Sequence, residues 1–158
     1  MDYLLEDAKS HIETLGSENI ACFIAEPIQG AGGLIVPPEG YHVKMGELCK
    51  EYDIKYITDE VVTAFGRLGH FFASKDVFGV QPDIITTAKG LTSGYQPLSA
   101  TIISDEIHEV ISGEGSMFLH GMTYSGHPAA SAAALANIAL MEKECIPQRV
   151  QKLSLIHI

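Results

Sequence analysis

An α/β fold with a mostly parallel sheet and flanking helices is predicted by three features of this 158-residue sequence. Short apolar runs of strand length alternate with longer stretches that repeat apolar residues every three or four positions. That alternation is the pattern of βαβ units, whose crossovers lay helices over a parallel sheet. Two of the apolar runs end beside opposite charges, Asp59 and Lys89, and ligands of open α/β sheets gather at such strand ends. The composition agrees, since 46% hydrophobic and 19% charged residues suit one packed core.

The elements follow in order. Leu4, Leu5, Ala8, Ile12 and Leu15 recur at helical spacing over residues 3–15, and Gly16 is a natural stop. The run at 20–25, Ile-Ala-Cys-Phe-Ile-Ala, predicts a strand buried on both faces. Pro27, Gly30, Gly32, Gly33, Pro37 and Pro38 then mark an irregular connection. Val43, Met45, Leu48 and Cys49 predict a helix over 41–52, and the strand at 54–58 ends at Asp59. After a loop with Gly66 and Gly69, strands are expected at 83–88, just before Lys89, and at 98–103. Ser104 is placed as N-cap of a helix through about Ile111, with Asp105 and Glu106 in its first turn. Pro128 opens a long Ala-rich helix through 143, whose Ala129–Leu140 stripe is expected to pack.

Composition and spacing exclude several function classes. Ten Lys and Arg against 20 Asp and Glu give a net charge of −10, and the basic residues are scattered, unlike a nucleic-acid footprint. No window approaches the roughly 18 apolar residues of a membrane span. The acidic start, Met1-Asp2-Tyr3-Leu4-Leu5-Glu6-Asp7, lacks the order of a secretory signal. Cys22, Cys49 and Cys145 are odd in number and far apart, which predicts reduced thiols, each a small core residue, in a cytoplasmic protein. The glycines at 30, 32 and 33 do not form G-x-G-x-x-G, and His120 and His127 have no acidic or thiol companions at metal-ligand spacing.

Asp59 and Lys89 carry the chemistry. An ion pair is the plain structural use of two such residues. Lys89, however, lies between a buried strand and the loop Gly90-Leu91-Thr92-Ser93-Gly94-Tyr95-Gln96-Pro97. Desolvation there is expected to favour the neutral amine, which attacks aldehydes to form Schiff bases.

The blocks around these residues have a specific order. They are Ala25-Glu26-Pro27-Ile28-Gln29-Gly30-Ala31-Gly32-Gly33, Pro37-Pro38-Glu39-Gly40-Tyr41, Ile57-Thr58-Asp59-Glu60-Val61 and Phe65-Gly66-Arg67-Leu68-Gly69. Gln81-Pro82-Asp83-Ile84-Ile85, Ala88-Lys89-Gly90-Leu91 and Gly121-Met122-Thr123-Tyr124-Ser125-Gly126-His127-Pro128 complete the set. Through them, over about residues 20–145, the sequence resembles the class III aminotransferases, pyridoxal 5'-phosphate (PLP) enzymes of the aspartate-aminotransferase fold, fold type I.

The resemblance implies roles residue by residue. Asp59 pairs with the pyridine nitrogen and keeps it protonated, so that the ring acts as an electron sink. Lys89 holds the cofactor as a Schiff base and, once displaced, moves the substrate proton. Val61, two residues beyond Asp59 in a strand-like segment, lies on one face of the ring. Thr123 donates to the cofactor phosphate, across the interface of a homodimer. Glu26 lies near the site in a structural role, Glu60 is a structural or supporting acid, and Tyr95 is a residue that approaches the pocket.

Within the family, Ala31 stands where the subgroups resembling ornithine and 4-aminobutyrate aminotransferases carry Glu. This likens the chain to the subgroup that passes amino groups from ω-amino acids, diamines or amines to pyruvate. Ala64 and Leu68 replace the common Gly and Thr around the Phe65-Gly66-Arg67 run. An aminomutase or a decarboxylase shares the Asp–Lys apparatus and remains an alternative. A Walker-B-type nucleotide hydrolase would need a phosphate loop, and G-x-x-x-x-G-K-[ST] is absent.

Residues 1–152 are then expected to form part of the PLP-binding large domain, continuing on both sides. Leu153-Ser154-Leu155-Ile156-His157-Ile158 match a reading frame of a sequencing adapter and are expected to be foreign. The phosphate-binding turn and the arginine for the substrate carboxylate have no match here, so the isolated chain is expected to be inactive.

Overall fold

The computed structural model describes residues 2–156, with side chains through Leu153. Helix α1 (Asp2–Leu15) ends at Gly16, whose N–H reaches the Ile12 carbonyl at 2.9 Å with φ at +80°. Glycine adopts that left-handed geometry without a Cβ clash. Strand β1 (Cys22–Ala25), helix α2 (Tyr41–Glu51) and strand β2 (Lys55–Asp59) form the first βαβ unit. A short helix α3 (Ala73–Asp76) precedes strand β3 (Ile84–Thr87). Strand β4 (Ala100–Ile103) leads into helix α4 (Asp105–Ser112), where the Ser104 hydroxyl accepts from the Ile107 N–H as its cap. Helix α5 (Pro128–Lys143), capped by the His127 ring, and helix α6 (Ile146–Ile156) complete the chain.

Among the described residues four strands form one sheet in the order β1-β2-β3-β4. The first two pairings are parallel and β3–β4 is antiparallel. The sheet is thus mostly parallel, as expected. In-register neighbours point to the same face, so Phe23, Tyr56 and Thr58 share one face, and Ile24, Ile57 and Asp59 the other. The first face is covered. Tyr56 joins Ile12, Met45, Cys49, Ile54 and Val80 in the core, with the Phe23 ring 5.6 Å from the Tyr56 ring.

Several expectations need correction. The strand at 20–25 is not buried on both faces. It is an edge strand with Cys22 exposed and Ile24 57% exposed, because among the described residues no element packs over that face. Of the three cysteines only Cys49 is a core residue, while Cys22 and Cys145 are exposed free thiols. Cys22 points to the uncovered face, and Cys145 sits in the tight turn between α5 and α6 with φ at +50°. Helices α3 and α6 lie where the sequence predicts no helix. The first is one turn long, too short for a periodic signal, and the second starts at Ile146, where no element is expected, and runs into the residues expected to be foreign. Of the residues expected to be foreign, His157 and Ile158 lie outside the described residues, while the α6 backbone runs through Ile156.

Candidate active site

The site is built on the carboxyl ends of β2 and β3, which lie side by side. Asp59 is the last residue of β2 and pairs with Thr86 of β3. Its Oδ1 accepts the Val61 N–H at 3.0 Å, a local turn that ends the strand. Val61 therefore lies on a turn and not in a strand, so the two-residue alternation that grouped it with Asp59 does not apply. Val61 does come together with Lys89, with which it lines a cavity of about 270 Å³. Asp59 lines a different cavity, of about 580 Å³, with Glu26, Gln29, Pro37, Tyr41 and His42, and Lys89 is not among its walls.

The residue after Asp59 fixes this strand end. Glu60 is fully buried, and its backbone N–H donates to the Thr86 carbonyl at 2.8 Å. Its carboxylate accepts from the N–H groups of Ala73 at 2.7 Å and Ser74 at 2.8 Å, and from the Thr63 hydroxyl at 3.1 Å. The Ser74 hydroxyl is a fourth donor. Charge-assisted bonds of this kind are about twice as strong as neutral ones, and four of them satisfy a group that burial would otherwise penalise heavily. Glu60 is thus a structural anchor directly behind Asp59.

The wall of the Asp59 cavity depends on two residues that sequence reasoning missed. His42 of α2 is buried; its Nε2 lies 3.0 Å from the Pro27 carbonyl and its Nδ1 2.7 Å from the Tyr56 hydroxyl. The carbonyl can only accept, so Nε2 carries the proton and Nδ1 accepts from the phenol. This neutral tautomer suits the site, because burial holds the His42 pKa below its ordinary value, partly offset by the Pro27 carbonyl. Burial likewise pushes the Tyr56 phenol up. The bond to Pro27 ties β1's exit to the core, and the next turn is closed by Glu26, whose Oε2 accepts the Gly30 N–H at 2.8 Å. The clue in the sequence was one polar residue, His42, beside the apolar stripe of α2.

Lys89 stands two residues beyond β3, at the start of a 3-10 turn over Lys89–Leu91. Its φ is +41°, a left-handed geometry that non-glycine residues rarely hold. Next to it, a Cβ on Gly90 would come within 2.8 Å of the Phe65 Cβ, so the two loops meet at a distance that glycine permits. The expected desolvation of Lys89 is not supplied by this chain. The side chain is exposed, because the turn lifts it out of the sheet into open space. Among the described residues it makes no ion pair, with Asp59 or any other acid. Thr123 is exposed on a turn before α5 and lines neither of the two cavities, and Tyr95 is 83% exposed.

The chain and its fold are matched among known proteins. The family model for aminotransferase class-III matches residues 2–156. Putrescine–pyruvate aminotransferase of Pseudomonas aeruginosa is 50% identical over 146 residues, covering 92% of this chain and 32% of that protein. An (S)-enantioselective omega-transaminase from Thermomicrobium roseum superposes with a TM-score of 0.89 at 48% identity, over 93% of this chain and 33% of that one. A PLP-bound amine transaminase from an uncultivated Pseudomonas species gives a TM-score of 0.88 at 46% identity, over 93% and 34%. The chain thus spans about a third of the length of the relatives it matches, and its sheet is part of a fold type I domain. By the family match along nearly its whole length, this chain belongs to the class III aminotransferases.

Proposed function

We propose that the full-length protein carrying this chain moves amino groups from an amine or ω-amino acid to a 2-oxo acid, with pyruvate as acceptor. It does so with PLP, the cofactor of its family, as a homodimer in the cytoplasm. The observation that carries this reading is the placement of Asp59 and Lys89 at the carboxyl ends of adjacent parallel strands. The pyruvate assignment rests on Ala31 and on the likeness to the putrescine–pyruvate enzyme. The free thiols of Cys22, Cys49 and Cys145 fit a reducing compartment.

The residues fit the cofactor. Asp59 is half-buried with one oxygen held by the Val61 N–H, which leaves the other to accept from a protonated ring nitrogen. Lys89, which makes no ion pair among the described residues, stands on a turn beside Val61. When bound, PLP supplies an electron sink for the bond that breaks at the substrate Cα. Asp59 holds the ring-nitrogen proton in place, and Val61 offers an apolar contact. Lys89 anchors the cofactor and, when freed, carries the proton at its Nζ to and from the substrate Cα. Thr123, exposed on a turn before α5, is proposed to donate its hydroxyl to the cofactor phosphate in a partner's site, as the family resemblance implies.

Borohydride reduction of the PLP-loaded full-length protein tests the anchor. A reduced adduct is expected at Lys89, and Lys89→Ala is expected to lose it together with the visible absorbance band. An adduct that persists at another lysine would overturn the assignment. The 158-residue chain alone is expected to show no turnover beside the full-length protein; comparable rates from the two would refute that part.

A further inference from the structure

The inward stripe of α5 contains one polar residue. Ala130, Ala134 and Met141 are buried at intervals of one and two helical turns, and Asn137 lies among them on the same face. Its amide nitrogen donates to the Gly90 carbonyl at 2.9 Å and to the Leu91 carbonyl at 3.1 Å. Its oxygen accepts from the Ser93 hydroxyl at 2.7 Å. Only this orientation of the amide works, since the reverse would set its oxygen against two carbonyl oxygens. One side chain therefore meets residues one, two and four places beyond Lys89.

That turn needs an external hold. Both Lys89 (φ +41°) and Ser93 (φ +51°) are in left-handed geometry, and such residues persist only where the surroundings impose them. On one side the turn rests on Phe65, at the distance Gly90 allows. On the other it is held by Asn137. Lys89 itself makes no ion pair among the described residues, so the direction of its amine is set by the backbone beneath it.

We propose that Asn137 is a positioning residue: by clamping the Gly90 and Leu91 carbonyls it aims the Lys89 amine at the cofactor. This rests on the reading of Lys89 as the cofactor anchor. The test is the rate at which added PLP becomes trapped on Lys89 by borohydride, read by peptide mass spectrometry in the full-length protein and normalised to the folded fraction. Asn137→Asp is nearly isosteric and keeps the acceptor for Ser93, but sets a carboxylate against the two carbonyls. It is expected to slow trapping at least about tenfold, since small misplacements of a reacting group have large effects. Asn137→Leu is expected to do the same, and Ser93→Ala, which removes one of the three bonds, to have a smaller effect. Amide hydrogen exchange over 89–93 is expected to quicken in both Asn137 variants while the strands keep their protection. A folded Asn137→Asp protein that traps PLP within twofold of the parent would overturn the proposal. Should the parent itself form no adduct at Lys89, the anchor reading would fail instead, and the exchange data alone would then decide whether Asn137 holds the turn.

Discussion

The Asp59 half and the Lys89 half of the site are built in opposite ways. Asp59 sits at the end of a central strand, with the fully buried Glu60 behind it and a wall fixed through His42, Tyr56 and Pro27. Lys89 sits on an exposed turn, held by a loop contact at Gly90 and by one asparagine from α5. The acid is thus positioned by the core of the sheet, whereas the amine is positioned by side chains that reach it from elsewhere. Substitutions on the acid side should therefore register as altered stability. Those on the lysine side should register as altered reactivity in a protein that still folds.

The sharpest way to break this contrast is at Glu60. Glu60→Ala removes the acceptor for Ala73 N–H, Ser74 N–H and two hydroxyls at one buried point. Each stranded donor costs about 1–3 kcal/mol, less where the cavity admits water. A loss of about 3–5 kcal/mol is expected in denaturant unfolding, enough to exhaust the stability of many domains. A loss below about 1 kcal/mol, within the range of an ordinary surface change, would mean that the strand end is not anchored as described.

His42 gives a smaller and pH-dependent effect. Its folded pKa lies below the ordinary 6.5 because the ring is buried. As pH falls through that value the unfolded chain takes up a proton that the folded chain resists. The unfolded state then binds more protons, so stability rises with pH in this window and is lost on acidification. The slope from one such group is at most about 1.4 kcal/mol per pH unit. His42→Gln, which cannot titrate but keeps a donor for Pro27, is expected to flatten the dependence of Tm between pH 6.5 and more acidic values. An unchanged slope would show that other groups set the acid limit.

The two halves also differed in how far the sequence revealed them. Asp59 and Lys89 were visible because strand ends can be read from short apolar runs and turn residues. The flanking helices α1, α2, α4 and α5 followed from periodicity and capping, and Ser104 caps α4 as expected. Exposure was not readable in the same way. An apolar run such as Ile20–Ala25 looks equally suited to a buried and an edge position, since only neighbours decide which it is. The same holds for Lys89, whose surroundings come from residues distant in sequence. His42 and Asn137 carried a weak signal, a polar residue on or beside an apolar stripe, which helical packing alone would not single out.

The smallest expected effect lies next to Asp59 but on the opposite face. Thr58 is fully buried on the covered side of β2, and its hydroxyl has no hydrogen-bond partner among the described residues. Valine has nearly the same shape and replaces that hydroxyl with a methyl group. Removing an unpaired buried hydroxyl while keeping the packing should stabilise the fold by about 1 kcal/mol. Thr58→Val is therefore expected to raise Tm by a few degrees and to leave PLP trapping at Lys89 unchanged, since the substitution faces the core. A drop in Tm would show that the hydroxyl is satisfied after all, for instance by a buried water. A change in trapping without a change in Tm would show that the two faces of β2 are not mechanically independent, and the contrast between the halves of the site would then fail at its closest point.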